Sequence, residues 1–132
     1  YSLGSAEGVA VRFRQQINEN SKMLCWHHTL PEMNHNELVG WTTKNDNLAV
    51  VTFRTSFDYD RTIKRYDICK ELFTKYSSSV TDITAKGNSI LEEYFYLINI
   101  GDWISCYVAD LRNVDPVEVN VITNLKNELA KV

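Results

Sequence analysis

The chain has 132 residues, 44% of them hydrophobic and 23% charged, with only five glycines and two prolines. That balance excludes a disordered or collagen-like polypeptide and fits one ordinary globular domain spanning 1–132. Fourteen basic against seventeen acidic residues give a net charge of −3. With no basic stripe, nucleic acid is not an expected partner, and a small molecule or another protein is.

In chain order, Ser5 is a candidate N-cap, and Val9, Phe13 and Ile17 recur one helical turn apart, predicting a helix to about Asn20. Thr29-Leu30-Pro31-Glu32 places Thr three residues before Glu with Pro in the first turn. This is a capping-box pattern, so a short helix is expected, with Gly40 as its stop. Leu48 to Phe53 is apolar and rich in β-branched residues, as a strand covered on both faces would be. Asp58 or Asp60 is expected to cap the next helix, whose inner side carries Ile63, Tyr66, Ile68, Leu72 and Phe73. Ser79 to Thr84 follows as a weaker strand, with Lys86-Gly87-Asn88 as its turn.

Ser89 opens the longest apolar stretch, Ile90 to Leu111. Glu92, Glu93, Asn99, Asp102 and Asp110 interrupt it, so no membrane partner is expected and a buried helix fits better. Gly101 is a candidate kink in it. Asp115-Pro116 breaks the pattern, and a last helix is expected from about Val117 to Lys131.

Strand, helix, strand, helix in succession predicts a parallel sheet with right-handed crossovers. A third strand is expected at or before Tyr1. There is no initiating Met and no signal-peptide pattern, so the chain is expected to be cut from a longer polypeptide. Cys25, Cys69 and Cys106 are odd in number and widely spaced, which suits a reducing, cytoplasmic setting better than a disulfide framework.

Two polar segments stand out, Gln16 to Lys22 and Pro31 to Glu37, each flanked by apolar residues. Polar groups beside a core must find hydrogen bonds, and a cleft could supply them. A carboxylate and an imidazole facing one cleft could share proton transfer near neutral pH; two solvated helix ends are the plain alternative. Cys25 and His28 stand three apart, but neither His27 nor His35 gives a second close pair to complete a tetrahedral zinc set, so no metal is expected. The cysteines lie in apolar contexts that disfavour the thiolate, and no nucleophile elbow or phosphate-cradling glycine loop is present. Tyr94, Phe95, Trp103 and Tyr107 stand at helical spacing and suit a core or a subunit interface.

The block Pro31-Glu32-Met33-Asn34-His35-Asn36-Glu37-Leu38-Val39-Gly40-Trp41, preceded by Asn18-Glu19-Asn20-Ser21-Lys22, resembles the C-terminal sugar-isomerase (SIS) domain of bifunctional phosphoglucose/phosphomannose isomerases. The likeness continues through Gly101-Asp102-Trp103-Ile104-Ser105, Asp115-Pro116, Ile122, Leu125 and Lys126. It implies an α/β fold, a helix-rich three-layer αβα domain on a small parallel sheet. It implies Glu19 as the base that moves a proton between carbons, with His35 and Lys126 opening the sugar ring, and Asn20, Asn34 and Glu37 binding substrate. It further implies a phosphorylated hexose substrate, no cofactor, and a homodimer in which His35 serves the partner's site. The phosphate-binding loop of such enzymes belongs to an N-terminal SIS domain absent here. Ser77-Ser78-Ser79 is a poor substitute because it precedes a strand. Val117 replaces a Thr common in relatives, which leaves dual epimer specificity open. The rival readings are a non-catalytic phosphosugar-binding module and a plain dimerisation domain.

Overall fold

The computed structural model describes residues 1–132. Four strands, β1 (Ser2–Leu3), β2 (Thr29–Leu30), β3 (Asn45–Arg54) and β4 (Ser77–Thr84), form one parallel sheet in the order β2-β1-β3-β4. Helices α1 (Glu7–Ser21), α2 (Asp60–Tyr76) and α3 (Ile90–Leu111) complete three layers, and α4 (Asn120–Leu129) ends the chain. Parallel neighbours cannot be joined by hairpins, so each pairing needs a crossover over one face.

Side chains of β3 alternate between two cores. Val50 joins Leu3, Leu30, Tyr66, Cys69 and Phe73 on the α2 side. Phe53 joins Val9, Ala10 and Leu97 on the side of α1 and α3, with Val51 packed against them. Period-two alternation on a strand thus divides the apolar run between two helical layers.

Several expectations change. The third strand is β1 itself, just after Tyr1, and a fourth, β2, takes Thr29 and Leu30 into the sheet beside it. Thr29 is taken up by the sheet and Pro31, which offers no side-chain cap, precedes the first turn, so the expected helix gives way to two 3-10 turns, Glu32–His35 and Glu37–Gly40. Gly40 still ends them. Ser5 does not cap α1: a 3-10 turn over Gly4–Ala6 leads in, and the Ser5 hydroxyl accepts from Tyr94 at 2.7 Å. Neither aspartate caps α2. Tyr59 precedes it, and Asp58 holds the turn after β3 by accepting from the Thr55 amide at 3.0 Å and hydroxyl at 2.8 Å. Ile68 faces solvent rather than the core.

Ser89 does cap α3, accepting from the Glu92 amide at 3.3 Å, while the Glu92 carboxylate accepts from Asn88 N–H at 2.6 Å. The helix runs unbroken through Gly101, whose role is close approach: a Cβ there would sit 3.1 Å from the Phe13 ring. Gly101, Ser105 and Ala109 are buried one turn apart, a ridge of small residues that lets α1 lie against α3. The opposite ridge is not buried, and Phe95, Trp103 and Tyr107 are exposed rather than core. The last helix begins at Asn120 instead of Val117 and has no buried residue, although Val121, Ile122, Leu125 and Leu129 form an apolar stripe along it. No helix is long and apolar enough to cross a membrane.

Candidate active site

The last turns of α1 carry the first polar segment, and almost every side chain in it is committed. Gln16 donates to Asp102 at 3.2 Å and Asn20 to the Ser105 hydroxyl at 2.8 Å. The Ser21 hydroxyl donates to the Ser105 carbonyl at 2.8 Å. Lys22, in the left-handed conformation that ends the helix, sends its ammonium to the carbonyls of Glu19 at 2.6 Å and Glu118 at 2.5 Å. Asn18 holds the backbone of Cys25 at both ends, accepting from its N–H at 2.7 Å and donating to its carbonyl at 3.2 Å. Glu19 alone among these polar residues has an exposed side chain without a hydrogen bond or ion pair.

The turns after β2 repeat the pattern. Asn34 directs its amide nitrogen inward to the sulfur of Cys69 at 3.0 Å. Asn36 donates to Glu32 at 3.4 Å and accepts from the Glu37 amide at 2.5 Å. Glu37 accepts from the Tyr1 hydroxyl and, at 3.3 Å, from the Trp26 indole, while Trp41 donates to the Tyr1 oxygen at 3.0 Å. Burial and this bond to Glu37 push the Tyr1 phenol well above its ordinary value. His35 is left exposed and unpaired between these fixed neighbours. Lys126 is likewise exposed and unpaired, on α4.

The loop between α1 and β2 passes a cavity of about 260 Å³, walled by Met23, Leu24 and Trp26 on one side and Phe13, Val51 and Phe53 on the other. Trp26 also borders a polar hollow of about 310 Å³ with Glu37 and Lys44. The His27 imidazole stands 3.7 Å from Glu7; burial and the nearby Arg14 lower its pKa, and Glu7 offsets part of that. Burial raises the thiols of Cys25 and Cys69, which disfavours them as nucleophiles. No three His, Cys, Asp or Glu side chains converge as a metal set would. The serines at the start of β4 spend their hydroxyls on the backbone, Ser77 on Phe73 at 2.7 Å and Ser78 on Leu48 at 2.7 Å.

One polar contact has no signature in the sequence. Glu93, in the first turn of α3, is 2% exposed and accepts from the Ser56 amide at 2.9 Å and hydroxyl at 2.5 Å. An acid in a first turn is ordinary company for a helix dipole, so only the folded turn after β3 reveals its second use.

Against known proteins, residues 1–129 match the model of the bacterial phospho-glucose isomerase C-terminal SIS domain. The chain belongs to that family. Curated relatives named bifunctional phosphoglucose/phosphomannose isomerase occur in Aquifex aeolicus, 36% identical over 99% of this chain and 42% of that one, and in Caldicellulosiruptor bescii, 39% identical over 98% and 39%. The chain therefore spans about two fifths of the length of these relatives. A glucose-6-phosphate isomerase-like protein from Thermus thermophilus shares the fold, with a TM-score of 0.66 over 88% of this chain and 37% of that one, at 21% identity.

Proposed function

We propose that this chain is the part of a phosphosugar aldose–ketose isomerase that carries the proton-transferring base, interconverting glucose 6-phosphate or mannose 6-phosphate with fructose 6-phosphate. The observation that carries the reading is the selective freedom of Glu19 and His35. Polar neighbours on both sides are tied down, and these two side chains are left to act on something else.

The chemistry needs two stages. Ring opening moves a proton from the hydroxyl at C1 to the ring oxygen, with His35 and Lys126 as base and acid. Glu19 then takes the proton from C2 of the open aldose, giving a cis-enediolate, and returns it to C1 while the C2 hydroxyl proton passes to O1 and O2 becomes the carbonyl oxygen. One carboxylate on one face does both transfers, so protons balance and no redox partner enters. Rotation about C2–C3 would present either epimer to the same base. Asn20 and Glu37 have a free oxygen each beside their structural bonds and would meet sugar hydroxyls; Asn34 would help to hold the His35 turn against α2.

In this reading the phosphate anchor comes from outside the 132 residues, so the chain by itself is inactive or nearly so. The working enzyme is a cytoplasmic homodimer in which His35 enters the partner's site. The test is a coupled assay of fructose 6-phosphate to glucose 6-phosphate with the longer parent polypeptide and its Glu19→Gln variant. Removing the transferring base should lower kcat by about 100-fold or more with KM little changed. An unaltered rate in the folded variant leaves the domain as a sugar-binding or scaffold module.

A further inference from the structure

Strand β1 has two residues and lies between β2 and β3, with Ser2 opposite Thr29 on one side and Phe53 on the other, both in parallel. Parallel partners stay in step along their strands. A residue before Tyr1 therefore falls between His27 and Val51, and the third before it between Cys25 and Ala49. The 260 Å³ cavity lies in that lane, with residues 23–27 as one wall and 47–51 as the other. On its far edge β3 is paired with β4 from Ala49 to Arg54, whereas on its near edge only Phe53 stands opposite β1. Tyr1 sets the phase of the near edge: its amino nitrogen donates to the Val51 carbonyl at 2.7 Å, and its carbonyl accepts from the Phe53 N–H at 3.0 Å. Backbone groups of a strand alternate in direction, so the Val51 N–H and both backbone groups of Ala49 face the cavity. The Leu48 carbonyl faces the other way and accepts from Ser78 at 2.7 Å. Unpaired ladder groups on an apolar wall are a template for one more length of strand.

We infer that this cavity seats the residues that immediately precede Tyr1 in the parent polypeptide, and that they extend β1 as a strand between the 23–27 loop and β3. The Tyr1 nitrogen selects that occupant. It lines the cavity and is buried, and burial lowers its pKa from 8.0 to about 6. A peptide N–H at that place makes the same bond to Val51 without burying a charge. Whatever is joined to that nitrogen begins inside the cavity, and a strand from a second copy would have to displace it. The chain spans about two fifths of its relatives and matches a C-terminal domain, so there is chain enough on the Tyr1 side to fill the lane. Side chains follow from the same alternation. Tyr1 and Leu3 face the α2 core, so the residue before Tyr1 faces α1, beside Phe13 and Val51. No Asp, Glu, Lys or Arg lines the cavity, and that residue is therefore apolar. So extended, β1 would pin to the sheet the loop that follows the helix of Glu19. The inference rests on the reading of these residues as part of a longer polypeptide, and not on the isomerase chemistry.

The experiment is amide hydrogen exchange on the parent polypeptide, read residue by residue by NMR. Val50 and Thr52 turn their amides to β4 and serve as the internal standard. The expected result is that Ala49 and Val51 exchange as slowly as Val50 and Thr52, at least about 100-fold slower than in an unstructured peptide. Nuclear Overhauser contacts should place the second residue before Tyr1 beside Val50 of the same chain. Ala49 and Val51 exchanging like a free peptide while Val50 and Thr52 stay slow overturns the inference. Protection of all four with contacts from another segment, or from another copy in isotope-mixed samples, overturns it as well. Failure of the isomerase reading shows separately, as a parent polypeptide inactive in the coupled assay whose Ala49 and Val51 amides are nonetheless protected.

Discussion

His27 is held against protonation by its surroundings. Burial and the Arg14 guanidinium lower the imidazole below its ordinary 6.5, and Glu7 at 3.7 Å restores only part. In the unfolded chain the same imidazole takes up a proton more readily. Its contribution to stability is therefore complete above pH 6.5 and is lost as the pH falls toward the lower folded value. His27→Gln should flatten the acid limb of Tm against pH in calorimetry, and identical slopes in the two proteins would sink this account. Little of this was legible beforehand, because the sequence places His27 beside Trp26 but not beside Arg14 or Glu7. Glu19 and His35 stood out only through resemblance; what distinguishes them physically, the commitment of their neighbours, depends on partners as far off as Ser105 and Cys69.

Among the elements, the start of α3 is the most tightly specified. A Cβ on Gly87 would lie 2.8 Å from Cβ of Glu92 and 2.9 Å from the backbone nitrogen of Glu93, so something must move. Gly87→Ala should displace the Ser89 cap and with it Glu93 from Ser56, at a cost of about 1–3 kcal/mol. Denaturant unfolding checks it, and an unchanged midpoint would count against the packing argument. This turn and its cap were legible in Lys86-Gly87-Asn88-Ser89, and so were α1, α2 and the middle of β3, since each repeats its period several times. Strands β1 and β2 have two residues each and can show no alternation. Thr29-Leu30-Pro31-Glu32 misled because the same residues suit a capped helix or a short strand with a turn, and pairing with β1 decides between them. The apolar excess of α3 shows that some face is covered, without showing whether a core or another surface covers it.

For the molecule as a whole, the proposed isomerase reading places Glu19 of one subunit and His35 of its partner in one site. Parent chains carrying Glu19→Gln should be inactive, and so should those carrying His35→Ala. Mixed and refolded in equal amounts, they form hybrid dimers with one intact site, and about a quarter of wild-type activity should return. If none returns while hybrids form, His35 acts within its own subunit.

The bonds that fix the end of α1 span most of the chain. Arg12 meets Asp102 across 90 positions, and Asn20 meets Ser105 across 85. Contacts so remote in sequence close long loops and form late. During synthesis from the N-terminus, α1 is complete long before the second half of α3 exists. The helix turn bearing Glu19 thus acquires its fixed orientation only when translation has passed Ser105 and Arg112, so a truncated or stalled product holds the carboxylate on an unanchored helix.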